Sequence, residues 1–226
     1  MRRRFPVVVA VLATASTAVG TVLPGPTPLA AQAPDDIEGS PPAGWEILTD
    51  DVGADTDAIA FAAMEPGFHL TTGPAALFYD PGNTARGSYR AHANIHLFAP
   101  EDPGAPFGLF VGGSDLDGSY QTYTALLLRA SGEFSVLRRL SFTSSETLVE
   151  WTSHDGVRGW ARRDEGAQTV ENSLSIEVRD GEMTFFVNGE EVARAPRTNQ
   201  GGEGVAGLRV EEGVNLHVTD FEVEPL

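Results

Sequence analysis

The C-terminal third of the chain alternates between apolar and polar residues with a period of two. Residues 174–178 carry Leu, Ile and Val at every second position, which is typical of a strand with one buried face. Asp180-Gly181 and Asn188-Gly189 follow at intervals that suit two-residue hairpin turns, because both pairs tolerate positive φ angles. The pattern predicts five strands within residues 173–225, arranged as an antiparallel meander that packs on a second sheet.

The rest of the chain shows short runs of Val, Thr, Phe and Tyr separated by turn residues. Predicted strands are Trp45–Leu48, Ile59–Met64, Phe68–Thr72, Ala76–Tyr79, Ser88–Phe98, Phe107–Val111, Gln121–Arg129, Phe134–Leu140 and Leu148–Ser153. We expect Asp80-Pro81-Gly82-Asn83 to form a turn that ends the fourth of these strands. Since no amphipathic helix of useful length is predicted, the fold class is all-β, a single antiparallel β-sandwich of jelly-roll type.

The last predicted strand contains a break in its alternation. The apolar residues of 214–218 share one phase, whereas Phe221 and Val223 have the opposite phase. A regular strand cannot bury both sets on one face. The sequence therefore predicts a bulge or bend near Thr219-Asp220.

The N-terminus has the features of a secretory signal peptide. Arg2–Arg4 precede an apolar run at 7–19, and Ala31-Gln32-Ala33 matches a cleavage site. The alternative is a membrane anchor, but the run is shorter than the ~20 residues that a span needs. We expect residues 1–33 to be a signal peptide cleaved after Ala33, residues 34–44 a disordered linker and residues 45–226 the domain. The protein is then secreted or periplasmic and has no membrane span.

The composition is strongly acidic. The chain has 15 basic residues, all arginine, against 32 acidic residues, for a net charge of −17. Loss of residues 1–33, which contain three arginines and no acid, makes the charge more negative. Nucleic acid and anionic membranes are therefore excluded as expected partners. The chain has no cysteine, so disulfides and a lipoprotein anchor are excluded. We expect the protein to be a monomer.

Arginines are concentrated in one part of the chain. Residues 129–163 contain six arginines and four acidic residues. One interpretation is that these arginines belong to an ordinary solvated surface. The other is that they form a basic strip on an acidic body, which meets an acidic partner.

Several segments together resemble a known superfamily. They are Tyr89–Phe98, the run FGLFVGGSDLDGSYQTYTALLLRASGEFSVLRR, Trp151, SLSIEVRDGEMTFFVNGEEVA and GVAGLRVEEGVNLHVTDFEV. Residues 45–226 resemble the concanavalin A-like lectin/glucanase superfamily, in its laminin-G-like and 3-keto-disaccharide-hydrolase-like branch. The resemblance implies a jelly roll. It leaves activity open, because members include lectins, glycosidases and adhesive modules.

The acidic motif of the family's glycosidases, E-x-D-x-x-E, does not occur in this chain. The nearest substitutes are Asp220 and Glu222, which alternate with Glu224 on the last strand and so face one way. Residues two apart on a strand are separated by roughly 6.6 Å, near the carboxylate separations used in glycoside hydrolysis. The alternative is the solvated side of a terminal strand, and we expect no catalytic residues.

Candidate metal ligands are poorly spaced. His92 and His96 lie four apart, which on a strand means roughly 13 Å, too far for one zinc ion without other segments. His69, His154 and His217 have no ligand-like spacing. Asp115–Gly118 is a fragment of a calcium-loop pattern, and a turn with aspartate side-chain hydrogen bonds is the alternative. No cofactor is expected, with calcium left open.

Polar residues on the long strand 88–98 are the better binding candidates. The row consists of Arg90, His92, Asn94 and His96. Such a row offers the planar donors and acceptors that a sugar needs, and an aromatic ring would complete the site. The candidate rings are Tyr120, Tyr123 and Trp160. The hypothesis is a secreted, non-catalytic module that binds a carbohydrate or glycan. A glycoside-acting hydrolase and a protein-binding adhesive module remain the alternatives.

Overall fold

A computed structural model describes residues 39–198 and 201–226. The predicted signal peptide and the first part of the predicted linker lie outside the described residues. The strands are β1 Glu46–Thr49, β2 Ala60–Ala63, β3 Phe68–Thr71, β4 Ala76–Ala85, β5 Tyr89–Leu97, β6 Phe107–Ser114, β7 Thr122–Leu128, β8 Glu133–Ser141, β9 Ser144–Ser153, β10 Val170–Arg179, β11 Glu182–Val187, β12 Glu190–Pro196, β13 Gly204–Val210 and β14 Asn215–Pro225. Two short 3₁₀ turns, Thr56–Ala58 and Trp160–Arg162, interrupt the loops.

The strands form two seven-stranded antiparallel sheets. Sheet 1 has the order β1-β4-β13-β6-β7-β8-β9. Sheet 2 has the order β12-β11-β10-β5-β14-β3-β2. The sheets pack face to face, which confirms the predicted all-β sandwich.

The core lies between the two sheets. Strand β5 alternates between buried and half-buried residues along its whole length, and its buried members are Tyr89, Ala91, Ala93, Ile95 and Leu97. They belong to one apolar cluster with Phe78 and Leu109 of sheet 1. Because burial of apolar area drives folding, the inner face of β5 orients its outer, polar face toward solvent.

The outer faces of the two sheets differ. Sheet 1 carries a second apolar cluster on its outer face, which includes Leu77, Phe110 and Leu127. Strand β7 is therefore buried on both faces, as its continuous apolar run predicts. The outer face of sheet 2 is polar along β5, so it is the face that can offer hydrogen-bonding groups to a ligand.

Local turn and bulge predictions at the C-terminus are confirmed. Asn188 and Gly189 have φ angles of 53° and 79°, the left-handed conformation that this two-residue hairpin requires. Strand β14 shifts its register against β5 between Thr219 and Glu222, and Asp220 has a φ of 51°. The bulge lets Phe221 pack against the core after the phase change.

The predicted five-strand meander is wrong beyond its third strand. Strands β10, β11 and β12 pair in sequence, but β13 lies in sheet 1 between β4 and β6. Strand β14 then returns to sheet 2 between β5 and β3. Alternation specifies which side chains a strand buries, and it leaves the choice of neighbouring strand to long-range packing.

The predicted turn at Asp80–Asn83 is also wrong, because these residues lie inside β4. Tyr79 pairs with Gly207 and Thr84 pairs with Val205, so the turn residues form an irregular excursion within the strand. The Gly82 N–H donates to Asp80 Oδ1 over 2.7 Å. Asp80 therefore makes the side-chain hydrogen bond that is typical of a turn, while the strand continues to Ala85.

Candidate functional site

The predicted polar row of β5 lies on the outer face of sheet 2. Strands β10 and β14 flank β5 and add further polar side chains to this face. On β10, the residues that pair in turn with Arg90, His92, Asn94 and His96 are Glu177, Ser175, Ser173 and Glu171. On β14 they are Glu224, Glu222, Thr219 and His217. Pairing across antiparallel strands places opposite side chains within about 5.5 Å of each other at Cβ. The row is therefore the centre of a polar surface three strands wide.

A depression of about 450 Å³ occupies the Arg90 end of this surface. Its lining residues are Arg90, His92, Ser173, Ser175, Glu177, Phe186, Gly189, Glu222 and Glu224. Phe186 is half-buried on β11, directly across from Ser175. Gly189 has no side chain, which leaves space beside the ring. The depression thus combines one aromatic surface with hydroxyl, imidazole and charged groups.

Ion pairs hold the charged groups at one side of the depression. Arg90 Nη2 lies 2.7 Å from Glu177 Oε1, and Arg90 Nη1 lies 3.1 Å from Glu224 Oε1. Arg179 donates to the other oxygen of Glu177 over 2.9 Å. The hydrogen bond from Arg90 lowers the pKa of Glu177 below its ordinary value. Glu177 is therefore ionised at neutral pH and acts as a hydrogen-bond acceptor.

The structure brings both predicted acidic residues to the same surface. Asn94 Nδ2 donates to Asp220 Oδ2 over 2.8 Å, across the bulge of β14. Glu222 lies opposite His92 and lines the depression. The alternation after the bulge therefore directs Asp220, Glu222 and Glu224 outward, as the sequence predicts.

Three histidines from three adjacent strands lie side by side at the other end of the row. His217 pairs with His69 on one side and with His96 on the other. The His96 and His217 rings stack with centroids 5.3 Å apart. His217 Nε2 lies 2.9 Å from the carbonyl oxygen of Pro66, and since a carbonyl only accepts, this nitrogen carries a proton. Sequence spacing missed this group because long-range pairing through β14 assembles it.

Burial affects the charge of two of these histidines. Burial lowers the pKa of His96, and the nearby carboxylate of Glu171 partly offsets this by raising it. Burial also lowers the pKa of His69, against a raising contribution from Asn215. Both rings are therefore neutral at neutral pH and can donate or accept hydrogen bonds without adding positive charge.

The predicted aromatic rings lie away from the depression. Tyr123 is 0% exposed on β7 of sheet 1, so it is unavailable to a ligand and its prediction as a platform is wrong. Tyr120 is 80% exposed but belongs to the connection between β6 and β7. Trp160 is half-buried under the guanidinium of Arg163, 4.3 Å from its ring centre. Phe186 is the ring that the structure places among the polar residues.

A buried asparagine ties the connection between β9 and β10 to the sandwich. Asn172 is 1% exposed and lies in phase with the apolar residues of β10. Its Oδ1 accepts from the Arg158 N–H over 2.9 Å, and its Nδ2 donates to the Arg158 carbonyl over 2.9 Å. Asn188 donates to the same Oδ1 and to the Gly156 carbonyl. These bonds hold the connection beside the His96 end of the row.

Replacement of Asn172 by alanine is expected to destabilise the fold and loosen this connection. It removes both hydrogen bonds to the part-buried backbone of Arg158, and each such hydrogen bond contributes roughly 0.5–1.5 kcal/mol. Denaturant melts measure the loss, and limited proteolysis within residues 154–168 measures the loosening. Asn83→Ala is the matched control, since half-buried Asn83 makes no side-chain hydrogen bond within the described ranges. Equal stability of the two variants would contradict the role of Asn172.

The calcium-like fragment forms a turn closed by its own hydrogen bonds. Asp115 Oδ2 accepts from the Tyr120 N–H, and the Asp115 carbonyl accepts from the Gly118 N–H, both over 2.9 Å. Within residues 39–198 and 201–226, no three His, Asp or Glu side chains lie close enough together to hold a metal ion. In the same residues, no helix has the length and apolar character needed to cross a membrane.

Comparisons with known proteins give structural neighbours only. No protein-family model matches the chain, and no curated protein matches it significantly. A carbohydrate binding module, CBM66 of Bacillus subtilis, has a TM-score of 0.57 at 11% identity and covers 80% of this chain and 95% of its own. The GH16 protein of a Bacteroides ovatus mixed-linkage glucan locus, in complex with a glucan product, has a TM-score of 0.53 at 11% identity, with 81% and 96% covered.

A third neighbour is the exoplasmic/lumenal domain of VIP36, in a form bound to Ca²⁺ and Man3GlcNAc. Its TM-score is 0.53 at 11% identity, with 84% of this chain and 86% of that chain covered. Identities this low show the fold alone. Together with the two antiparallel sheets and the resemblance of residues 45–226, these neighbours show that the chain has the concanavalin A-like jelly-roll fold.

Proposed function

We propose that this protein is a secreted, non-catalytic module that binds a glycan on the outer face of sheet 2. The observation that carries the proposal is the depression in which Phe186 lies among polar groups of β5, β10 and β14. The opposite sheet carries an apolar cluster on its outer face. The polar face of sheet 2 is therefore the one suited to a ligand rich in hydroxyl groups.

The chemistry of the depression suits a sugar. A sugar ring has an apolar face of C–H groups, which can lie on an aromatic ring, and hydroxyls around its edge, which donate and accept hydrogen bonds. Phe186 supplies the ring, and Ser175 and Ser173 supply hydroxyls beside it. Ionised Glu177 accepts, and the Arg90 guanidinium donates. Because the ion pairs already orient these two charged groups, little additional ordering is needed on binding.

The neighbours support a carbohydrate ligand. One is named a carbohydrate binding module, one was solved with a glucan product and one with Man3GlcNAc. These ligands belong to those proteins. The shared fold makes a glycan the first ligand class to test on this chain.

The state of the carboxylates supports binding without catalysis. Glycoside hydrolysis needs one carboxylic acid that keeps its proton, with a raised pKa. Here Arg90 lowers the pKa of Glu177 and also pairs with Glu224. Glu222 makes no ion pair or side-chain hydrogen bond within the part of the chain that is described. It is the residue on which the alternative, a glycoside-acting hydrolase, would depend.

Secretion is proposed from the sequence features of residues 1–33, the arginine cluster, the apolar run and Ala31-Gln32-Ala33. A protein outside the cytoplasm meets polysaccharides and cell-surface glycans. Its strongly negative charge suits a soluble, dispersed protein.

A glycan array combined with a turnover assay tests the proposal. We expect the purified protein to retain one group of related glycans and to release no new reducing ends from them. Turnover that Glu222→Gln abolishes would replace this function with hydrolysis. Absence of any glycan binding, with capture of a protein ligand instead, would favour the adhesive module.

A further inference from the structure

A second depression, of about 430 Å³, lies at the His96 end of the polar row. The connection between β9 and β10 forms one side of it, and β5 and β10 form the other. Its charged and titratable lining residues are His96, Arg158, Arg162, Arg163, Asp164 and Glu171. Three of the six arginines in residues 129–163 therefore converge on one place.

The three arginines of this depression differ from most others in the described chain. Arg90, Arg138, Arg179, Arg194, Arg197 and Arg209 each lie within 4 Å of a carboxylate. Arg158, Arg162 and Arg163 are exposed and have no such ion pair within the described residues. Arg162 Nη1 donates to the Asp155 carbonyl over 3.0 Å, and Arg163 Nη1 donates to the Trp160 carbonyl over 3.1 Å. Their remaining N–H groups are available to a ligand.

Local charge favours an anion at this place in spite of the acidic chain. At physiological ionic strength the screening length is about 8 Å, so distant carboxylates contribute little. Asp164 and Glu171 line the same depression and offset part of the positive charge. Since burial lowers the pKa of His96, this ring adds no charge at neutral pH. Among the residues that line the depression, three guanidinium groups against two carboxylates leave a net positive charge.

We propose that this depression binds the anionic group of an acidic glycan, either a uronic-acid carboxylate or a sulfate ester. The inference rests on the proposed glycan-binding function and names its ligand class. Guanidinium groups bind planar or tetrahedral oxyanions through paired N–H donors, which an ammonium group cannot match. Of the two interpretations of the six arginines in residues 129–163, this proposal takes the one with an acidic partner, and it does so for three of them.

The two depressions lie at opposite ends of the polar row of β5. Arg90 and His92 line the first, His96 lines the second, and Asn94 lies between them. Six residues along a strand span roughly 20 Å, a length that several linked sugar rings occupy. An oligosaccharide can place a neutral ring beside Phe186 and an acidic group beside Arg158 at the same time.

Matched sets of glycans test the proposal. The probes are uronic-acid oligosaccharides, their carboxyl-reduced neutral counterparts and sulfate esters of the neutral forms, titrated against the full protein. The test variant is the triple substitution R158Q/R162Q/R163Q. The controls are the parent protein and Arg86→Gln. Arg86 is likewise exposed and without an ion pair in the described chain. All four substitutions are at exposed side chains, so folding should be retained, and thermal melts check it.

We expect the parent protein and Arg86→Gln to bind an acidic form about tenfold or more tightly than its neutral counterpart, as hydrogen bonds to charged groups permit. The preference should fall with added salt and disappear in the triple variant. Preference for the carboxylate or for the sulfate form identifies the anion. Equal binding of neutral and acidic forms, or a preference that survives in the triple variant, overturns the inference and leaves glycan binding intact. Binding to none of the probes overturns the inference, and the glycan array then decides the proposed function separately.

Discussion

Replacement of Phe185 by alanine is expected to lower the free energy of unfolding by about 3–5 kcal/mol, the usual cost of emptying a fully buried phenylalanine site. Phe185 is 0% exposed on β11 and pairs with Ile176 of β10 and Ala193 of β12. Its ring belongs to the apolar cluster between the sheets. Truncation removes these contacts and leaves a cavity that the neighbouring strands cannot close.

Phe186→Ala is the matched control for this prediction. The two residues are adjacent on one strand and identical in chemistry, but Phe186 is half-buried on the outer face. Chemical denaturation of both variants should show a clearly smaller loss of stability for Phe186→Ala. Equal losses would show that the two faces of β11 are wrongly assigned.

Local features of the fold were predictable because the residues that cause them are neighbours in sequence. The alternation along β5 follows from its own side chains. The Asn188-Gly189 hairpin depends on the positive φ angles of those two residues. The bulge at Asp220 follows from the phase change between two groups of apolar residues within β14.

Features that depend on distant partners were not predictable in the same way. A strand pattern does not specify its neighbours, so the sequence predicts a meander that includes β13, whereas β13 lies in sheet 1. Asp80–Asn83 has strong turn residues, yet pairing of β4 with β13 continues beyond them. Local preference contributes little where an adjacent strand stabilises an extended chain.

The residues of the candidate site show the same difference between features set by neighbouring residues and features set by distant strand pairing. The row on β5 was found because alternation alone places it on one face. Glu177 and His217 were missed because strand pairing brings them beside the row. Tyr123 is a wrong choice of platform, and the apolar run of β7 already indicates that this strand is buried on both faces. A signal for Phe186 did exist, since the residue after a buried strand phenylalanine must face the opposite side.

Phe186→Ala is expected to weaken glycan binding at least about fivefold, since truncation of a central contact residue commonly costs more than 1 kcal/mol. The ring is the aromatic surface that lines the main depression. Its loss removes the apolar contact with the sugar and leaves the hydrogen-bonding groups in place. Binding enthalpy and affinity should both fall, while thermal stability changes little by comparison with Phe185→Ala.

Phe142→Ala is the matched control for binding. Phe142 is 44% exposed and lies between β8 and β9 of sheet 1, so the substitution removes the same ring from a surface remote from sheet 2. It should leave affinity unchanged. The pair of variants therefore separates loss of the site from a general effect of removing a surface aromatic residue.

The most direct test of the glycan site is titration calorimetry of the parent protein, Phe186→Ala and Phe142→Ala with a glycan selected on the array. The structure predicts the same dissociation constant for the parent and Phe142→Ala, and a dissociation constant at least about fivefold higher for Phe186→Ala. If Phe186→Ala binds the glycan as tightly as the parent does, the outer face of sheet 2 is not the binding site.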